Sequence, residues 1–222
     1  AAGKNTTGTI KNKTSAKKCI IIHAGGQSRR LPAYAVWGKL LTPIPVFRWA
    51  IGQSITQTLL DIQSRLYEKL MTLTSEAQST LVASGDILVR TDELPKRLPD
   101  VDVVCFGMWT EPETASHHGV FVVKKDSPEI LDCMLQKPSP AELEKIGQNR
   151  FFMMDVGIWI LSDKAVGVLE KKCRNTAAAG DTADSIDLDG TNHPPRFYDL
   201  YSDFGPALGT HPTRCDREIA SL

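Results

Sequence analysis

The 222 residues carry no excess of either charge: Lys and Arg number 26, Asp and Glu 26. With no overall field, nothing draws the chain non-specifically onto nucleic acid or an anionic membrane, so any anion site has to be local. Long apolar runs are missing as well. No stretch reaches the ~18 apolar residues of a membrane span, and residues 1–18, rich in Gly, Thr, Asn and Lys, lack the apolar centre of a secretory signal. These absences predict a cytoplasmic protein with neither a membrane nor a nucleic acid as partner. Paired cysteines are absent in the same sense. Cys19, Cys105, Cys133, Cys173 and Cys215 are odd in number, scattered and free of C-x-x-C spacing, which argues against a disulfide framework or a zinc cage and reads as reduced thiols. Internal repeats are not found either.

Two familiar phosphate loops are also lacking. Gly38-Lys39 is followed by Leu40 where a P-loop needs Ser or Thr, and the glycines at 25 and 26 do not open a Gly-x-Gly-x-x-Gly fingerprint. What is present is His23-Ala24-Gly25-Gly26-Gln27-Ser28-Arg29-Arg30-Leu31-Pro32, which leaves the apolar run Cys19–Ile22 and turns at once into a basic loop, with Lys39 soon after. The glycines let a backbone approach an anion and offer N–H donors, while Arg29, Arg30 and Lys39 supply charge where a triphosphate would lie. The carboxyl end of a strand is where open α/β sheets place ligands.

The hydrophobic fraction of 41% suits one core of ordinary size. We read residues 1–18 as a disordered basic tail and 19–222 as one domain, cut short at its C terminus, with a loop or linker near 174–195 where Ala, Gly, Asp, Thr and Pro cluster. Cys19–Ile22 reads as a buried strand. From Gln53, the spacing of Ile55, Leu59, Ile62, Leu66 and Leu70 predicts a helix. Further strands are expected at 80–83, 101–107, 119–123, 131–135 and 151–161, and Ser162-Asp163 caps a helix through Val166 and Leu169. Strand–helix–strand alternation implies an α/β fold with a mostly parallel central sheet flanked by helices.

Nucleotidyl transfer needs cations on the phosphates, carboxylates for a divalent ion and a second cation for the incoming phosphate. Asp86 closes a strand in Ser84-Gly85-Asp86 and suits Mg²⁺, though aspartate in a tight turn is also a common structural residue. Lys137, before Pro138, ends a strand and suits a sugar-linked phosphate, though surface lysines are commoner. Asp203 lies among Tyr198, Tyr201, Phe204 and Gly205. His117 and His118, adjacent in a strand, would point to opposite faces and could not grip one ion together.

Taken in order, His23–Pro32, Gly38–Trp49, Ala83–Asp86, His117–Phe121, Met134–Ser139, Asp155–Asp163 and Tyr198–Gly205 resemble the L-fucose-1-phosphate guanylyltransferase family, in particular the N-terminal half of bifunctional bacterial members with a sugar kinase fused downstream. The resemblance runs from about Cys19 to Pro212. It implies a Rossmann-like sugar nucleotidyltransferase fold that takes GTP and L-fucose 1-phosphate with Mg²⁺. By motif, Gly25, Gly26, Gln27, Ser28 and Gly85 hold the nucleotide, Arg30 and Lys39 offset charge at the α-phosphate, and Asp86 and Asp203 ligate Mg²⁺. Lys137 takes the acceptor phosphate, and Gly119, Asp155 and Gly157 line the sugar pocket. Ile51, where the family carries Arg, and Val36-Trp37, where it carries Pro-Ser, depart from the pattern. Transfer to another sugar 1-phosphate, or a nucleotide-sugar-binding domain without turnover, stays open.

Overall fold

The computed structural model describes residues 17–23, 39–44, 57–180 and 198–222, with the backbone alone for Lys39 and for residues 174–180. Strand β1 (Cys19–His23) pairs with β2 (Gln78–Ser84), which pairs with the long β6 (Arg150–Ser162). β6 also pairs with β3 (Val103–Met108) and β4 (Gly119–Lys124), and β4 pairs with β5 (Ser127–Gln136).

The sequence rhythm implies a mostly parallel sheet, and this is corrected: β1–β2 is parallel, while β2–β6, β3–β6, β4–β6 and β4–β5 are antiparallel. The reason lies in adjacency rather than direction. β2, β3 and β4 all run opposite to β6, so β1 to β4 share one direction, as successive crossovers would produce. β6 then inserts itself among them. Residues 159–161 pair with both β2 and β3, and Met154 pairs with both β3 and β4, so β2 and β4 follow one another along the edge of β6 opposite β3.

Alternation sets the two faces of the sheet. Trp159 and Leu161 of β6 and Val82 of β2 point to one side, packing with Ala165, Phe204, Ala207, Leu208 and Ile219. Ile158, Ile160, Leu81 and Ala83 point to the other, against Tyr67, Leu70 and Met71 of helix α1 (Leu59–Thr72). Trp159 is wholly buried, so its truncation to alanine would cost about 4 kcal/mol.

Helix α1 begins later than the apolar spacing suggests. Thr58 and Asp61 form a reciprocal capping box, which defines the first turn, and the buried residues are Leu59, Gln63, Tyr67, Leu70 and Met71 rather than Ile62 and Leu66. The expected start at Gln53 and Ile55 lies outside the described residues. β1, expected to be buried, has one neighbour among the described residues, and Ile20 and Ile21 are exposed.

Helices α2 (Pro112–Ala115) and α3 (Pro140–Asn149) meet the β4–β6 side through Ala115 and Leu143. α3 is readable after the fact, because Ser139-Pro140 followed by Glu142 is an N-cap signature, with Ser139 accepting from the Glu142 N–H. Helix α4 (Asp163–Gly180) runs past Arg174, into the stretch expected to be irregular. His117 and His118 lie in the turn before β4, both exposed, and not within a strand as expected. Among the described residues no helix is long and apolar enough to cross a membrane. None of the five cysteines forms a disulfide.

Candidate functional site

The parallel pair defines one end of the site. His23 at the end of β1 lies opposite Ser84 at the end of β2, and the Gly85 N–H closes the ladder on the His23 carbonyl at 2.8 Å. Beyond this edge opens a cleft of about 300 Å³ lined by His23, Ser84, Asp86, Gly157, Trp159 and Tyr201, with Val82, Ala83 and Leu200 completing it. A wider hollow of about 470 Å³ over β3 and β5 is lined mainly by apolar residues such as Val103, Phe121 and Leu131, which offer nothing for a phosphate.

Asp86 is exposed on the cleft wall, and its Oδ1 accepts from the Ser84 hydroxyl at 2.8 Å. Gly157 enters from β6 through an irregularity: Cys105 pairs with Trp159 and Gly107 with Asp155, so β6 spends more residues than β3 over this interval. The Asp155 carboxylate staples the irregularity. It accepts the Gly157 N–H at 2.7 Å and the Trp159 indole N–H at 3.1 and 3.3 Å. Gly157 has φ +76°, a conformation that disfavours any side chain. Burial pushes Asp155 up to about 6, against the pull of those two donors.

The third wall is a π-helical turn, Leu200–Phe204. Such turns are rare and concentrate at functional sites. Asp199 caps it, its Oδ1 accepting the N–H groups of Tyr201 and Ser202 at 2.9 and 2.7 Å. These bonds outweigh burial, and His23 adds to them, so Asp199 stays below the usual carboxylate range. Inside the turn Asp203 is buried; it accepts the Asp199 N–H at 2.8 Å and pairs with the Arg214 guanidinium.

The expected site residues therefore divide. Asp86 and Gly157 meet at the cleft, and Gly85 sits between the lining residues Ser84 and Asp86 without lining it. Gly119 and Asp155 meet each other, since a Cβ on Gly119 would stand 3.5 Å from the Asp155 Cβ. Lys137 follows β5 next to this pair: Gln136 is opposite Gly119, and the Lys137 N–H donates to the His118 carbonyl at 3.0 Å. It is the one non-glycine residue with positive φ (50°) among the described residues, a strained backbone of the sort kept at functional sites. Gly119, Lys137, Asp155 and Asp203 do not line the cleft. Gly25, Gly26, Gln27, Ser28, Arg29 and Arg30 lie outside the described residues, as do Val36, Trp37 and Ile51, and so does the Lys39 side chain. Tyr201 and Trp159 were not singled out by sequence reasoning, although both lie inside the blocks that carry the family resemblance.

No group of three or more His, Cys, Asp or Glu side chains converges among the described residues. Magnesium is commonly held by one or two carboxylates with phosphate oxygens and water, so Asp86 fits it; Asp203, bonded to Arg214 and the Asp199 N–H, would have to give up a partner first.

A curated relative, the L-fucokinase/L-fucose-1-P guanylyltransferase of Bacteroides fragilis, is 50% identical over 206 residues, covering 93% of this chain and 20% of the relative. The bifunctional fucokinase/GDP-fucose pyrophosphorylase of Arabidopsis thaliana is 25% identical over 154 residues, covering 65% of this chain and 15% of its own. The chain thus spans a fifth or less of the length of either relative. Residues 11–216 match the family described as the fucose pyrophosphorylase domain, nearly the whole chain, and the chain belongs to that family.

Proposed function

We propose that this chain carries a Rossmann-like nucleotidyltransferase site that moves GMP from GTP to L-fucose 1-phosphate, giving GDP-L-fucose and pyrophosphate. The observation that carries the reading is Asp86 on the wall of a cleft at the carboxyl ends of the parallel pair, at the strand end from which the Gly25-Gly26 sequence departs. An acceptor phosphate oxygen attacks the α-phosphorus; a P–O bond forms, the bond to pyrophosphate breaks, and no general base is needed because the attacking oxygen is already anionic. Gly25, Gly26, Gln27, Ser28 and Gly85 hold the nucleotide, and Arg30 with Lys39 offsets charge at the α-phosphate. Lys137 holds the acceptor phosphate, and Gly119, Asp155 and Gly157 shape the sugar side. Mg²⁺, when bound at Asp86 and, after release from Arg214, at Asp203, would neutralise phosphate charge.

The names of both relatives support a sugar kinase fused in the parent polypeptide, and cysteines without disulfide bonds support action in the cytoplasm. Pyrophosphate release measured on the full chain, with four nucleoside triphosphates against a panel of sugar 1-phosphates, should be fastest for GTP with L-fucose 1-phosphate. A faster pair, or no release with any pair, overturns the reading.

A further inference from the structure

We propose that the Tyr201 hydroxyl recognises a hydroxyl group on the sugar ring of the acceptor and is a specificity-determining residue of the cleft; this rests on the reading that the acceptor is a sugar 1-phosphate.

Three observations converge on it. The first is rigidity. The Tyr201 backbone is held by the Asp199 cap, and its ring stands edge-on to Trp159, with centroids 6.2 Å apart at 80°. Trp159 is itself wholly buried, its indole N–H held by Asp155. A phenol positioned in this way loses little freedom when a ligand arrives.

The second is space. Tyr201 lines the cleft of about 300 Å³, and its hydroxyl lies beside Gly157, where a Cβ would come 3.6 Å from the Tyr201 oxygen. No protein hydrogen bond reaches the hydroxyl among the described residues.

The third is chemistry. Burial, reinforced by the carboxylates of Asp155, Asp199 and Asp86, pushes the phenol up to about 12, so it stays protonated and acts as a donor, never as a base. A phosphate set directly against this wall, with no cation between them, would face the exposed Asp86 carboxylate. A sugar hydroxyl instead accepts from the phenol and can donate to a carboxylate, so neutral, hydroxyl-bearing ring atoms fit the wall.

The test is steady-state kinetics on the full chain with GTP and L-fucose 1-phosphate. Tyr201→Phe keeps the ring against Trp159 and removes one donor. We expect kcat/KM for the acceptor to fall about tenfold, with the KM for GTP and the thermal midpoint unmoved. Among monodeoxy sugar 1-phosphates, one position should cost the wild-type protein about tenfold and cost Tyr201→Phe nothing further, because the partner is already gone. Equal further losses at every position in both proteins, a raised KM for GTP with the acceptor unaffected, or no change at all would overturn the assignment. If wild type prefers another sugar 1-phosphate, the substrate reading alone falls and the comparison is run on that sugar. If nothing turns over, calorimetric titration with the sugar 1-phosphates applies the same criterion to binding, and absence of binding in wild type removes both.

Discussion

Asp132 on β5 and Asp155 on β6 are both buried aspartates of one sheet, and their surroundings drive them in opposite directions. Asp132 accepts from Thr210 Oγ1 at 2.7 Å, His211 Nδ1 at 2.6 Å and Arg150 Nε at 3.0 Å, with Lys124 at 4.0 Å. The Thr210 bond above all, then His211 and Arg150, overcomes burial and holds it well below the usual carboxylate range. Asp155 has only neutral donors, and burial wins. One carboxylate is saturated and clamps the segment around Gly209 onto β5; the other is kept at a disadvantage beneath the cleft. Saturation belongs to the scaffold and deficit to the site, as expected where shifted groups gather at functional positions.

The sharpest way to break the contrast is Asp132→Ala, which takes the shared carboxylate from Arg150 and Lys124 and the acceptor from Thr210 and His211. We expect a loss of about 3 kcal/mol in urea unfolding, with the KM values of the folded protein preserved. A change below about 1 kcal/mol would show that the clamp holds little. Asp86→Asn attacks the other side: turnover should drop about a hundredfold with the urea midpoint unchanged, since a charged group facing the ligand is lost and no packing is. Near wild-type turnover at saturating Mg²⁺ would remove Asp86 from the reaction.

Acid sharpens the comparison by sign. Because the folded-state value of Asp155 is raised, the folded protein binds more protons than the unfolded chain between about pH 4 and pH 6, and stability from this group is lost as pH rises through that window. Asp132, being depressed, contributes above about pH 4 and loses its contribution as pH falls further. Asp155→Asn, which keeps an accepting oxygen, should abolish the first trend and raise stability at pH 7 by roughly 2 kcal/mol. An unchanged pH profile of the unfolding midpoint would contradict the assigned environment. The smallest effect is expected from Lys137→Ala: a roughly tenfold higher KM for the acceptor with GTP affinity intact. No change in acceptor KM would return this lysine to the surface.

The residues that sequence reasoning found are those whose role is local. Apolar runs located β2, β4 and β6, and the Ser162-Asp163 cap located the start of α4. Gly85 and Asp86 were legible because a strand end is a local event. Sheet order was not, since nothing in the run Phe151–Leu161 says that it will part β2 from β3. The Asp132 clamp was read simply as part of a strand because its partners come from β4, β6 and the segment near 210. Asp203 was legible as a carboxylate but not as the partner of Arg214, and Tyr201 depends on a π-helical turn that leaves no periodic trace.

The position of β6 also sets a timetable. The β4–β5 hairpin closes over a tight turn at Lys125-Asp126, and β6 follows after α3, so these strands find one another through short loops. Pairing Ile22 with Ala83 and Val82 with Trp159 instead closes loops of roughly 60 and 80 residues, a larger entropic toll collected later. Pulse-labelled hydrogen exchange during refolding should therefore protect β4, β5 and the first half of β6 before β1 and β2, with simultaneous protection arguing against this order. The cleft draws its walls from β1, β2, β6 and the 199–205 segment, so it would be among the last features to exist. Intermediates along the way would have a core and no binding site, and a ligand could then capture only molecules that have finished folding.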